Sequence, residues 1–200
     1  VTALVIVFGI FHQDFANYPD ALRYGLFQVV ALMTTTGYCT ADFDVWSNFA
    51  RGVLLTIMFV GGCAGSTAGG MKVIRIVLLF KQSIREVRRL IHPHSVVPVK
   101  VGGQRTSDTV ISAVWGFFFL FVASFAVMTV LLIATGLDAE TAYSSVGACI
   151  TNLGPALGEA GPNYASLNNA AKILLSLAML LGRLEIYTLL VVLTPAFWRG

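Results

Sequence analysis

Hydrophobic residues in this chain fall into blocks separated by polar or glycine-rich interruptions, without the alternation of a half-buried strand. Residues 1–11 are apolar, but as a helix they would run only about 16 Å, half of a bilayer crossing. A polar interval, residues 12–20, precedes residues 21–34, which are apolar and again too short to span. That block ends in Thr34-Thr35-Thr36-Gly37-Tyr38, and a short helix followed by a Thr/Gly turn predicts a re-entrant hairpin. Residues 47–60 begin a longer apolar helix, interrupted by the glycine-rich residues 61–70 and resumed from Met71 to about Leu90 with rising basic content. Residues 91–107 carry Pro93, Pro98, Gly102 and Gly103 among polar residues and are expected to form a loop between two halves.

The second half repeats this order. Residues 108–135 form one apolar stretch ample for a crossing; Gly136 and a short segment, 138–150, lead to Thr151-Asn152-Leu153-Gly154-Pro155. A polar loop reaches Leu167, and residues 168–197 are expected to form one long final helix. Gly37 pairs with Gly154 at an offset of 117, whereas Asn48/Asn168, Ala50/Ala170 and Gly62/Gly182 pair at 120. Each unit therefore reads as helix, re-entrant helix, Gly turn, helix: residues 1–90 and 108–200, joined by the linker 91–107. The fold class is all-α integral membrane.

Composition agrees. Hydrophobic residues make up 56% and charged residues 12% of 200, and mean hydropathy is +0.79, against about 25% charged in soluble domains. A net charge of +3 is too small for a nucleic-acid surface, so no nucleic-acid partner is expected. Cys39, Cys63 and Cys149 are too scattered for a disulfide framework or zinc site. No Ser/His/Asp or Cys/His set has catalytic spacing, so no enzyme activity and no cofactor are expected. Eight of the 13 Lys and Arg (Lys72, Arg75, Lys81, Arg85, Arg88, Arg89, Lys100, Arg105) lie between the glycine run and the second crossing, which marks that side as cytoplasmic. The turns then enter from outside, where Asp14, Asp20, Asp42, Asp44, Asp138, Glu140 and Glu159 would form a cation-concentrating vestibule.

Non-helical backbone at membrane depth must be satisfied by protein or by a watery path, so two such turns point to a pore. Gly37 permits backbone angles closed to other residues, letting carbonyls replace the hydration shell of an ion. The preceding helix would aim its negative end at that ion. Five glycines in residues 61–70 argue for a local helix break that could serve as a flexible gate. Gly61, Gly65 and Gly69 also have GxxxG spacing, which could instead make a helix-packing face. Arg183 lies midway along the expected final helix, where an ion costs at least a few kcal/mol unless paired or hydrated. It should face the pore or Glu185, opposite the glycine run, and could hold the closed loop or repel ions; the alternative is a purely structural Arg–Glu or Arg–carbonyl contact.

These residues resemble the Trk/Ktr/HKT superfamily of potassium transporters, specifically its TrkH-type pore subunit. The resemblance rests on Thr34-Thr35-Thr36-Gly37-Tyr38, residues 61–70 with Met71-Lys72, Thr151-Asn152-Leu153-Gly154-Pro155, and Gly182-Arg183-Leu184-Glu185. It implies four non-identical helix–pore loop–helix repeats around one pore, with this chain as the third and fourth. Thr35, Thr36 and Gly37 would supply one quarter of a potassium filter, and Thr151, Asn152, Leu153 and Gly154 another. The implied gate comprises Gly61, Gly62, Gly65, Ser66, Thr67, Gly69, Gly70 and Arg183. The resemblance also implies potassium as substrate, a homodimer in the bacterial inner membrane, and a nucleotide-binding regulatory subunit on the cytoplasmic face; the C-terminus would be cytoplasmic. Two repeats cannot close a four-part ring, so either a half is absent from this chain, which the clipped first helix favours, or two copies assemble. One glycine per turn predicts weaker potassium-over-sodium discrimination than a filter with paired glycines.

Rival readings remain. Discontinuous helices also build secondary carriers for other solutes, and a non-transporting scaffold is a third class that gives the polar turns no role. A P-loop is excluded, because Gly-Gly-Met-Lys stands where Gly-Lys-Ser/Thr is required. His92 and His94 resemble a metal tract, but beside Pro93 in a basic loop they read as solvated imidazoles. Trp46, Trp115, Trp198 and Tyr164 are expected as interfacial anchors, and the basic helix is expected to meet anionic membrane lipid.

Overall fold

The computed structural model describes residues 9, 17–93, 95, 97–161, 163–184, 186–195 and 197–199. Apart from Gly9, the expected half-helix at residues 1–11 lies outside them, as do Asp14, His94 and Glu185. Helix α1 (Tyr18–Met33) starts with Pro19 in its first turn, where a missing N–H costs nothing, and buries Ala21, Gln28, Val29 and Leu32. Its 16 residues reach about 24 Å, short of a crossing. Helix α2 (Asn48–Met58) is capped by Ser47, whose Oγ accepts the Ala50 N–H at 3.4 Å, and buries Ala50, Leu54, Ile57 and Met58 at helical spacing. Residues 59–72 are not helical, and α3 (Val73–Ile91) resumes beyond them.

The segment between halves is more ordered than the loop its prolines suggested. Strands β1 (Lys100–Val101) and β2 (Gln104–Arg105) pair antiparallel across Gly102 and Gly103, both at positive φ as a type I′ turn demands. Val99 is buried with Leu78 of α3 and with Ile111 and Val114 of the next helix. That helix, α4 (Asp108–Ala134), has 27 residues and is long and apolar enough to cross a membrane. Arg85 of α3 is clamped to Asp108 at 2.8 Å.

Helix α5 (Ala139–Ile150) is capped by Asp138, which accepts the Glu140 and Thr141 N–H groups at 3.1 Å, and from Thr141 to Ile150 it is buried except at Tyr143. It packs between α4 and α6 (Asn169–Arg183). Asn168 caps α6 through the Ala171 N–H at 2.7 Å and donates to the Thr135 carbonyl at 3.0 Å, tying α6 to the end of α4. The expected single helix over residues 168–197 is not formed: α6 ends at Arg183, α7 (Ile186–Leu193) follows, and a 3-10 turn covers Phe197–Arg199. Apolar composition was a poor guide to continuity here: Leu184, one residue past α6, leaves the helical region at φ −84°, ψ 5°.

The halves share one interior. Leu153 and Leu157 from the second half enter the apolar cluster of α1 and α2 beside Val29, Leu54 and Met58. The Phe59 ring meets Phe125 and Tyr143 edge-on, with centroids 5.2 and 6.3 Å away.

Candidate functional site

Helices α1 and α5 end in the same backbone device. The Thr36 N–H donates to the Ala31 carbonyl at 2.9 Å and the Leu153 N–H to the Ala148 carbonyl at 2.8 Å, the long bond of a Schellman cap. The left-handed residue of each cap is not glycine: Thr35 has φ 52° and Asn152 φ 54°. Gly37 and Gly154 follow at φ 76° and 106°, where a side chain would strain the backbone. Thr34 and Thr151 bond back to the Val30 and Gly147 carbonyls, each at 2.8 Å. Every one of these correspondences holds at the offset of 117 read from the sequence. The turns are neighbours, since a Cβ on Gly37 would collide with the Leu153 carbonyl oxygen. Two helix C-termini, each carrying partial negative charge, thus converge on adjoining turns.

On one side of the turns lies the break between α2 and α3. Its ends are pinned together by Met71 N–H to the Phe59 carbonyl and Val73 N–H to the Gly62 carbonyl, both 3.1 Å. Gly61 has φ 70° and Gly70 φ 75°, and a Cβ on Gly61 would strike the Gly69 carbonyl, so the neck closes only around glycine. The helix-packing reading of Gly61, Gly65 and Gly69 fails because these residues are not helical. The loop is docked at two points. The Gly69 N–H donates to Thr35 Oγ1 at 3.0 Å, and Arg183 Nη1 donates to the Thr67 carbonyl at 2.9 Å. A Cβ on Gly69 would fall on the Thr151 carbonyl oxygen, so the loop backbone lies directly against the second turn. Arg183 is therefore the last residue of α6 and not mid-helix, and its partner among the described residues is the loop; Glu185 lies outside them. Ser66 receives the Ala68 N–H within the loop, at 3.3 Å.

On the other side of the turns is a cavity of about 720 Å³ lined by Gly37, Cys39, Asp42, Gly154, Pro155 and Tyr164. The acidic vestibule is thinner than composition suggested. Asp44 and Glu140 both bind Arg51, at 3.4 and 2.8 Å, and Asp138 caps α5, leaving Asp42 as the acid that lines the cavity among the described residues. Asp138 is held below the usual carboxylate range, chiefly by the Thr141 hydroxyl and then by backbone N–H groups.

Two expected interfacial anchors turn inward instead. Trp46 is buried in the α1–α2 cluster, and Tyr164 donates its hydroxyl to the Gly154 carbonyl at 2.5 Å. Their loops fold back over the turns, so aromatic bulk serves packing there; Trp115 and Trp198 stay exposed. Tyr164 is the site residue that sequence reasoning missed, and an aromatic in an otherwise polar loop was its one signal. His92 has no ligand set around it: no group of His, Cys, Asp or Glu among the described residues could hold a metal.

A family model described as the cation transport protein TrkH matches residues 2–199. The Trk system potassium uptake protein TrkH of Halomonas elongata is 54% identical over 180 residues, 90% of this chain and 37% of that protein. The protein of the same name from Vibrio parahaemolyticus is 49% identical over 94% of this chain and 39% of its own length, and TrkG of Escherichia coli K12 is 36% identical over 98% and 41%. The crystal structure of the potassium transporter TrkH from Vibrio parahaemolyticus matches with a TM-score of 0.92 at 47% identity, covering 99% of this chain and 42% of that one. The chain spans well under half the length of the curated relatives it matches.

Proposed function

Because this chain belongs to the TrkH family of cation transport proteins, a family of helical, membrane-embedded transporters, we propose that it forms part of a potassium uptake path gated beneath its two Gly turns. The backbone of Thr35, Thr36 and Gly37, with that of Thr151, Asn152, Leu153 and Gly154, lines the filter. Two further repeats complete a four-part ring. The observation that carries this reading is the pair of superposable Schellman turns, in contact with each other and each closing a helix whose negative end faces the turn. Residues 61–70 act as the gate, docked on Thr35 and latched by Arg183. The relatives are named potassium uptake proteins, in agreement with the choice of ion.

The turns open to the outside of a bacterial inner membrane, and the basic helix α3 and the C-terminus lie in the cytoplasm. The chain works as a homodimer. Val73, Val77, Phe80, Ile84, Val87 and Ile91 form an exposed apolar row at 3–4 residue spacing on α3 that suits a second copy. A nucleotide-binding regulatory subunit docks at the basic end of the same helix.

The test is uptake of rubidium and sodium by liposomes holding the full-length protein, with and without Gly37→Ser. Potassium-like selectivity that relaxes or vanishes in the variant supports the filter, whereas uptake indifferent to Gly37 sinks it. A secondary carrier is the second reading, favoured by breaks in both inner helices, at residues 59–72 and between α6 and α7. Saturable, alternating-access flux would select it.

A further inference from the structure

Beside the glycine-rich loop lies a cavity of about 200 Å³ whose lining includes three cations: Lys72 and Arg75 from the start of α3, and Arg183 from the end of α6. Phe117 and Phe121 of α4 form its opposite wall, and Arg75 stacks over the Phe117 ring at 4.0 Å, which fixes the guanidinium plane at the cavity edge. An apolar groove of about 350 Å³ adjoins it. Val60, Met71, Val122, Phe125 and Tyr143 line that groove, and Phe121 is common to both spaces.

The order of these residues along α4 fixes how the two spaces are stacked. Phe117 and Phe121 face the cationic cavity, Phe121, Val122 and Phe125 the apolar groove, so the pair climbs about 12 Å along the helix. The cationic space is the one nearer the basic end of the molecule, where Arg85 grips Asp108. A compact cationic pocket below and an apolar groove above it match the polarity of one anionic amphiphile. A soluble phosphate would leave the groove unused. We propose that the site binds an anionic phospholipid of the cytoplasmic leaflet, its phosphate held by Lys72, Arg75 and Arg183 and one acyl chain laid along Val122 and Phe125.

Binding there has a consequence for the gate, and this part rests on the gate reading given above. Arg183 spends one N–H on the neutral Thr67 carbonyl, whereas a phosphate offers the guanidinium an opposite charge and two parallel bonds in place of one. Lipid therefore draws Arg183 off the loop and favours its release.

Native mass spectrometry of the full-length protein, released from detergent containing equal phosphatidylglycerol and phosphatidylcholine, reads the site without any flux. Wild type should retain phosphatidylglycerol preferentially. Lys72→Gln and Arg75→Gln should each lower that retention about fivefold, the worth of one cation near an anionic headgroup, Arg75→Lys should restore it, and Val122→Trp should weaken it by filling the groove. Equal retention of the two lipids, or retention unmoved by the charge variants, overturns the proposal. So does displacement by inorganic phosphate together with indifference to Val122→Trp, which would mark a soluble-anion site. In liposomes, rubidium flux should rise with phosphatidylglycerol content; lipid retained without any flux response overturns the coupling to the gate and leaves the binding site standing.

Discussion

At residue scale the turns rest on positions where the side chain is subordinate to the backbone. Thr35 and Asn152 occupy the left-handed cap position that glycine usually fills, and each uses its polar group elsewhere: Thr35 Oγ1 receives the Gly69 N–H, and Asn152 Nδ2 donates to the Met179 carbonyl at 3.3 Å. Arg183 and Tyr164 act on the two faces of this assembly. Removing the Arg183 latch loses one charge-assisted bond to the loop, so Arg183→Ala should raise passive rubidium flux about tenfold at equal protein level; unchanged flux would remove its gating role. Tyr164→Phe frees the Gly154 carbonyl from its hydroxyl partner at a cost of about 1 kcal/mol, and should shift the rubidium-to-sodium ratio with little loss of protein. The turns at Gly37 and Gly154 and the nearness of Arg183 to the glycine run were legible in the sequence, because glycine and a lone charge in an apolar stretch each have few physical uses. Trp46 and Tyr164 were not, since an aromatic side chain packs equally well against lipid or against its own chain.

At the scale of elements, the short helices were readable from block length, and the caps that start them follow the Ser, Asp and Asn placed there. The break after α6 was not readable. An apolar stretch carries no record of where its packing ends a helix, nor of how near a neighbouring carbonyl approaches, as the Ile150 oxygen does at Gly182. Gly182→Ala would put a methyl group on that oxygen, and should push α6 from α5 and destabilise the protein by about 1–3 kcal/mol, measured as a fall in Tm. The hairpin at residues 100–105 was hidden because strands of two residues leave no alternation to read, and Gly-Gly suits a linker as well as a tight turn. At the start of α5, Asp138→Ala should cost about 1 kcal/mol. The native carboxyl is depressed below its unfolded value, so its contribution is complete above pH of about 4 and is lost as pH falls through the lower, folded value. Thermal melts of wild type in acid should approach those of the variant; a constant gap between them would remove the capping charge from the account.

On the scale of the whole molecule, the two halves are interlocked by Leu153 and Leu157, by the Phe59 cluster and by Arg51 bridging Asp44 to Glu140. Their repeat was visible in the order of elements, but their contact was not, because an offset relates positions without saying which surfaces meet. The three cysteines report on sidedness. Cys39 is exposed at the cavity beside Gly37 and Gly154, which the proposed topology places outside, Cys63 is exposed in the glycine-rich loop and Cys149 is buried. A membrane-impermeant maleimide added to intact cells should therefore modify Cys39 and spare Cys149, while labelling confined to the cytoplasmic side would invert the proposed orientation.

The seat of Gly69 against the Thr151 carbonyl oxygen carries one more implication. If that carbonyl lines the proposed filter, an oxygen covered by a backbone cannot also hold a dehydrated ion, and loop docking and ion occupancy compete for the same atom. Competition of this kind is reciprocal: the cargo itself acts as a wedge. Closure should slow as external potassium rises, and a poorly held ion such as sodium should let the loop settle sooner.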